Sequence, residues 1–144
     1  MLKVAINGYG RIGRSVLRAL CSSDHRESIK VVAINEIAST RTIEHLTKYD
    51  STHGTLDSRV EIRDDALIVD GQEIVLLHFE NASDASWGDH KVDMVFECSG
   101  SYSDRETAEL HLTSGPSKLL FSQPAHTDVD ATVVFGVNQN QIAK

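Results

Sequence analysis

The sequence has few of the residues that build cross-linked, fibrous or membrane-embedded folds. Two cysteines, two prolines and one tryptophan occur in 144 residues. Cys21 and Cys98 lack CxxC spacing, so neither a disulfide framework nor a zinc site is expected. The seven histidines form no HExxH or similar close pair, and no metal is expected. No apolar run exceeds four residues, against the roughly twenty that cross a bilayer as a helix. The stretch from Met1 to Asn7 runs straight into a glycine motif, without room for a signal peptide. The expectation is a soluble, cytoplasmic chain with no membrane partner. Positive charge is scarce too: 14 Lys and Arg stand against 21 Asp and Glu, for a formal charge of −7. Such a surface repels phosphate backbones, which argues against nucleic acid as a partner.

What remains is ordinary globular composition, 40% hydrophobic and 24% charged, at the size of one domain, residues 1–144. Leu2 to Ile6 is β-rich. It leads into Gly8-Tyr9-Gly10-Arg11-Ile12-Gly13, after which Ile12, Val16, Leu17 and Leu20 recur at helical spacing to about Cys21. Lys30 to Ile34 is a nearly continuous apolar strand, as expected where both faces of a parallel sheet are covered. A complete βαβ unit thus fits in the first 36 residues.

A second helix is predicted over Thr40 to Lys48, with Ile43, Leu46 and Tyr49 on one face, and a loop from Asp50 to Gly54. From Arg59 to Phe79 the period drops to two, broken at Asp64-Asp65 and Asp70-Gly71, which predicts an antiparallel insertion. Val92 to Glu97 restores the parallel pattern. Ser103-Asp104-Arg105-Glu106 reads as a capping box for a helix ending near Gly115-Pro116. Lys118 to Ser122 and Ala131 to Val137 are the last expected strands. The fold class is therefore α/β: a Rossmann-type, mostly parallel sheet with helices on both faces and an antiparallel strand insertion.

The glycine motif gains weight from this context. It follows a strand, opens an amphipathic helix and is followed by a second strand ending in Asn35-Glu36. Gly8 permits the tight turn, Gly10 lets a pyrophosphate approach the backbone, and Gly13 lets helix and sheet pack closely. The free N–H groups at the helix start favour phosphate. Glu36 is placed to accept the ribose hydroxyls of adenosine and would repel a 2′-phosphate, so the expected cofactor is NAD rather than NADP. The plainer alternative is a glycine-rich turn in a nucleotide-free domain, with Glu36 merely solvated. Ser99, Gly100 and Ser122 end later strands and are either cofactor neighbours or turn residues.

Three segments together go further: Ala5-Ile6-Asn7-Gly8-Tyr9-Gly10-Arg11-Ile12-Gly13-Arg14, Lys48-Tyr49-Asp50-Ser51-Thr52-His53-Gly54 and Thr132-Val133-Val134-Phe135-Gly136-Val137-Asn138. The chain resembles the glyceraldehyde-3-phosphate dehydrogenase family along its whole length. Within it, Asn35-Glu36-Ile37-Ala38, Trp87, Asp128-Val129-Asp130-Ala131-Thr132 and Asn138-Gln139 look more like the branch acting on D-erythrose 4-phosphate, in pyridoxal 5′-phosphate synthesis. The resemblance implies Arg11 and Ile12 on the pyrophosphate, Glu36 on the adenosine ribose, Ser99 and Gly100 along the dinucleotide, and Ser122 near the nicotinamide. The family often has an arginine beside the adenine, whereas Phe79-Glu80-Asn81 offers no basic side chain, leaving at most a backbone contact at Glu80.

The resemblance also implies a nucleophilic cysteine shortly after the segment matching Val137-Asn138, and a second domain carrying the histidine base and the substrate-phosphate ligands. The expectation is an isolated cofactor-binding half whose catalytic domain is absent from this chain. The full-length enzyme would take a sugar-phosphate aldehyde and assemble as a homotetramer, while the fragment would pair as a dimer through its uncovered groove. A reading of another class is a free-standing, non-catalytic nucleotide-binding module. Cys21 and Cys98 read as structural, and His53 as a loop histidine or a support for the family's active-site or subunit interface.

Overall fold

The computed structural model describes residues 1–142. Strand β1 (Leu2–Asn7) enters the glycine motif, helix α1 (Arg11–Cys21) follows, and β2 (Ile29–Asn35) returns parallel to β1. Helix α2 (Thr40–Lys48) leads to a small hairpin of β3 (Tyr49–Asp50) and β4 (Gly54–Thr55). Then come β5 (Val60–Arg63), β6 (Ala66–Val69) and β7 (Gln72–Leu77), β8 (Met94–Glu97), α3 (Arg105–Thr113) and β9 (Lys118–Phe121). One seven-stranded sheet takes the order β5-β6-β7-β2-β1-β8-β9. Strands β7, β2, β1, β8 and β9 run parallel, and β5 and β6 are attached antiparallel at one edge. The α/β architecture expected from the periodicities is the one observed, including the antiparallel insertion.

Alternation along β1 divides the core. Val4 and Ile6 face one side with Leu17 of α1 and Ile43 of α2, while Ala5 faces the other with Trp87, Val92 and Val95. Helix α3 lies on the Trp87 side, where His111 and the indole are both fully buried. The two predicted turns of the insertion form where L-residues tolerate the left-handed region: Asp64 has φ 52°, and Asp70-Gly71 has φ 50° and 84°.

Three expectations are corrected. Ala131–Val137 forms no strand. Its backbone donors go to local partners, with Val134 N–H on Asn138 Oδ1 at 2.6 Å and Val137 N–H on the Val134 carbonyl at 3.0 Å. The β-branched run has strand propensity, but propensity requires a partner strand, and the Asn138 side chain offers a competing turn. Helix α3 is capped by Asp104, not by a Ser103–Glu106 box: Asp104 accepts from the Thr107 N–H at 2.8 Å and from its hydroxyl at 2.7 Å. On α2 the buried pair is Ile43 and Thr47, while Tyr49 is half exposed. Thr47 is drawn inward because its hydroxyl donates to the Ile43 carbonyl and is itself bonded by Tyr9.

Arg18 of α1 fixes the β3–β4 hairpin. It is almost fully buried and donates to the Thr47 carbonyl at 2.9 Å and the Gly54 carbonyl at 2.8 Å. Those carbonyls close the end of α2 and the turn holding His53. Arg18→Met keeps the aliphatic length and removes both charge-assisted donors, so it should lower stability by about 2–4 kcal/mol in urea unfolding. An unchanged midpoint would show that the two bonds carry nothing.

Candidate functional site

The sequence-predicted residues gather at the carboxyl ends of the parallel strands. Gly8 follows β1, Glu36 follows β2, Glu80 follows β7, Ser99 and Gly100 follow β8, and Ser122 follows β9. The glycine loop is built by exclusion. A Cβ on Gly8, at φ +86°, would lie 2.4 Å from Ser99 Cα, and one on Gly13 would lie 2.4 Å from the Gly8 carbonyl oxygen. Gly10 differs: nothing lies within 4 Å of its Cβ direction, so its open side faces space rather than protein.

Gly10 is the N-cap of α1. It supplies no side-chain cap, and no acidic residue occupies the first turn, where Arg11 and Ile12 are exposed. The first intrahelical bond runs from Arg14 N–H to the Gly10 carbonyl at 3.1 Å. The N–H groups ahead of it have no intrahelical acceptor, as at any helix start, and they carry the positive end of the helix dipole. These are the donors and the field that an anion takes.

Glu36 is tied to this loop. One carboxylate oxygen accepts from Tyr9 N–H at 2.8 Å and the other from Ala38 N–H at 3.2 Å. Each oxygen keeps a lone pair beyond these bonds, and the side chain is half-exposed. Tyr9, whose role the sequence did not signal beyond its place in the motif, is the loop's anchor. Its ring is buried, and burial pushes its phenol far above the usual range. Since the Thr47 hydroxyl donates to Ile43, the Tyr9 hydroxyl donates to Thr47 Oγ1 at 2.9 Å. Ile37 and Phe79 follow the register-paired residues Asn35 and Leu77 by two positions each, and they are 70% and 41% exposed. Two exposed apolar residues thus stand just past the ends of β2 and β7, where the sequence offers no basic side chain.

Beneath the loops runs a buried polar chain. Trp87 Nε1 donates to His111 Nδ1 at 3.2 Å, and His111 Nε2 lies 2.8 Å from Glu97 Oε2. Asn7 Nδ2 donates to the same oxygen at 2.7 Å. Asn35 Nδ2 donates to Asn7 Oδ1 at 2.8 Å and to the Phe79 carbonyl at 3.0 Å, and Asn35 Oδ1 accepts from Phe79 N–H at 2.9 Å. Indole N–H only donates, so His111 Nδ1 accepts, and Nε2 carries the proton that it gives Glu97. The imidazole is thus neutral. Glu97 Oε1 accepts from the N–H of Ser99 at 2.7 Å and from its hydroxyl. Burial raises the Glu97 carboxyl, and the bonds from His111, Ser99 and Asn7 outweigh it, holding it below the usual range.

Other expected residues sit at the margins. Asn35 is buried with both amide hydrogens engaged. Glu80, Gly100 and Ser122 are exposed, and the Ser122 N–H is held by the Glu97 carbonyl at 3.0 Å. Burial raises the thiols of Cys21 and Cys98 above the usual range, away from the direction that activates a thiolate. His53 lies on the exposed hairpin with Nδ1 3.1 Å from Asp50. No helix among the described residues is long and apolar enough to cross a membrane, and they hold no group of three or more potential metal ligands.

The loop geometry separates the three glycines by stability. Gly8→Ala and Gly13→Ala should each cost about 2 kcal/mol or more, from left-handed strain or direct collision. Gly10→Ala should stay within about 1 kcal/mol, the scale of an N-cap change. Chemical denaturation of the three variants decides it, and equal losses would contradict the packing described. Glu97 predicts a pH dependence. Its folded value lies below the unfolded one, so its contribution is complete above the ordinary glutamate range and disappears as pH falls through the folded value. Glu97→Gln should therefore start less stable at neutral pH and lose less on acidification, as followed by thermal melts across the acid range.

The family model described as glyceraldehyde 3-phosphate dehydrogenase, NAD binding domain, matches residues 2–105. That span runs from the first residue of β1 to the first residue of α3 and takes in the glycine loop, Glu36, Glu80 and the Ser99–Gly100 turn, with Ser122 outside it. On that match the chain belongs to the glyceraldehyde 3-phosphate dehydrogenase family, its residues 2–105 matching the family's NAD-binding domain.

Proposed function

We propose that this chain holds NAD for a dehydrogenase that oxidises D-erythrose 4-phosphate to 4-phosphoerythronate. The observation that carries the binding reading is the pairing on one loop of an open helix N-terminus at Gly10 with the Glu36 carboxylate bonded to Tyr9 N–H. These residues fit a dinucleotide: Gly10, Arg11 and Ile12 would hold the pyrophosphate, and Glu36 would accept from the adenosine ribose. Ile37 and Phe79 supply an apolar surface for the adenine in place of a cationic partner. Asn35 contributes by fixing Phe79, and Glu80 at most by its backbone. Gly100 and the Ser99 turn would flank the dinucleotide, with Ser122 toward the nicotinamide. When bound, NAD supplies the hydride acceptor.

The substrate reading rests on Asn35-Glu36-Ile37-Ala38, Trp87, Asp128-Val129-Asp130-Ala131-Thr132 and Asn138-Gln139. The description of the matching family favours glyceraldehyde 3-phosphate as the second reading. The full-length protein, assayed with both aldehydes with and without inorganic phosphate, separates them. Oxidation of the erythrose phosphate without added phosphate supports the first, and phosphate-dependent oxidation of the triose phosphate the second. Self-association as a dimer belongs to the same proposal; Val134, Phe135, Val137 and Ile142 are each exposed, and exposed apolar side chains are what a second copy would bury.

Glu36→Ala should weaken NAD binding by about 1–3 kcal/mol, the range for hydrogen bonds to a charged group, and narrow the preference over NADP. Isothermal titration measures both. The unaltered 144-residue chain should bind NAD yet oxidise neither aldehyde, because its two thiols are both raised rather than activated; turnover by the purified chain would overturn that part.

A further inference from the structure

Glu97 ends β8 as an almost completely buried carboxylate, 1% exposed, and among the described residues no cation faces it. Its donors are all neutral: imidazole, carboxamide, a backbone N–H and a hydroxyl. A charge kept in that setting is costly unless every lone pair is used, and here the donors come from three separate elements. Asn7 belongs to the end of β1 just before Gly8, Ser99 opens the turn after β8, and His111 belongs to α3. The same two loops meet where a Cβ on Gly8 would strike Ser99.

Being only an acceptor, Glu97 also sets the direction of the chain leading away from it. It takes the amide nitrogen of Asn7, which turns Asn7 Oδ1 toward Asn35. That places Asn35 Oδ1 on the Phe79 N–H, next to Glu36. The hydroxyl of Ser99 is spent inward on Glu97 and accepts from Ser101 N–H at 3.1 Å, so Ser99 meets a ligand by the shape of its turn rather than by donating.

We infer that Glu97 is a positioning residue for the cofactor: its carboxylate, without touching NAD, sets the gap between the Gly8 loop and the Ser99–Gly100 turn and the amide orientation that reaches the Phe79 backbone. This rests on the proposed placement of NAD across those loops. A glutamine at this position is nearly isosteric, yet it has one acceptor oxygen for two sets of donors. With that oxygen toward His111 and Asn7, its NH2 opposes the Ser99 N–H. With the oxygen toward Ser99, the NH2 opposes Asn7 and the His111 N–H, and moving the His111 proton to Nδ1 would oppose the Trp87 N–H.

The test is NAD titration of the unaltered chain, Glu97→Gln and Ser99→Ala well below their melting temperatures. The emission of Trp87, the single tryptophan, reports the fold. The expected result is a roughly tenfold rise in Kd for Glu97→Gln with native Trp87 emission, and a rise of about threefold or less for Ser99→Ala, which keeps the N–H bond. A purely structural Glu97 would lower the melting temperature and leave Kd unchanged, which overturns the assignment while NAD binding itself stands. A larger effect from Ser99→Ala than from Glu97→Gln also overturns it, since the hydroxyl would then be the contact. No NAD binding by the unaltered chain overturns both this and the site proposal. If Glu97→Gln does not fold, Glu97→Asp replaces it, keeping the charge and shortening the reach: a Kd raised at least threefold supports the assignment, and an unchanged Kd overturns it.

Discussion

A single buried negative charge organises the carboxyl end of the sheet. Glu97 has no cation beside it among the described residues, so its stability depends on drawing donors from α3, β1 and the turn after β8 at once. Those elements are then fixed relative to one another by the requirement that no lone pair go unused. The chain of bonds from Trp87 to Phe79 crosses beneath β8, β1, β2 and β7, which are neighbours in the sheet. Its polarity is forced from both ends, by an indole that can only donate and a carboxylate that can only accept.

Above this floor, the glycine loop is shaped by what it cannot contain. Gly8 and Gly13 are glycine because protein occupies the place of a side chain, and Gly10 because the space beside it is left open. The two kinds of demand sit within six residues and look alike in the motif. The loop is secured from below by the Tyr9 hydroxyl on Thr47, from the side by Glu36 on the Tyr9 N–H, and from behind by Gly8 N–H on the Asn35 carbonyl at 2.9 Å. A loop held at three points loses little further entropy when a ligand arrives.

Under the proposed placement of NAD, function divides between an upper layer of turns and a buried polar layer. Gly10, Arg11, Ile12, Glu36 and Gly100 form the upper layer, the one proposed to meet the dinucleotide. Asn7, Asn35, Glu97, His111 and Trp87 form the layer beneath, where hydrogen bonds gain strength from low dielectric and a missing partner is correspondingly expensive. Arg18 repeats the device on a smaller scale, holding the Thr47 carbonyl at the end of α2 and the Gly54 carbonyl of the hairpin.

The sequence by itself determined the parallel framework, the antiparallel insertion and the glycine cradle, because these follow from periodicity, turn residues and spacing that act over a few positions. The bounds of helix α2 were legible to the residue, and so was the place of Glu36 just after a strand. What only the tertiary structure decided depends on residues far apart in the chain. Glu97 in the sequence is an acidic residue ending an apolar strand, and nothing local says that Asn7, 90 positions away, and His111 will meet it. Tyr9 looks like any residue between two glycines until Thr47 is brought beneath it. Ala131–Val137 failed in the opposite sense: its β propensity was genuine, but a strand exists only where another offers its edge, and here Asn138 closed the turn first.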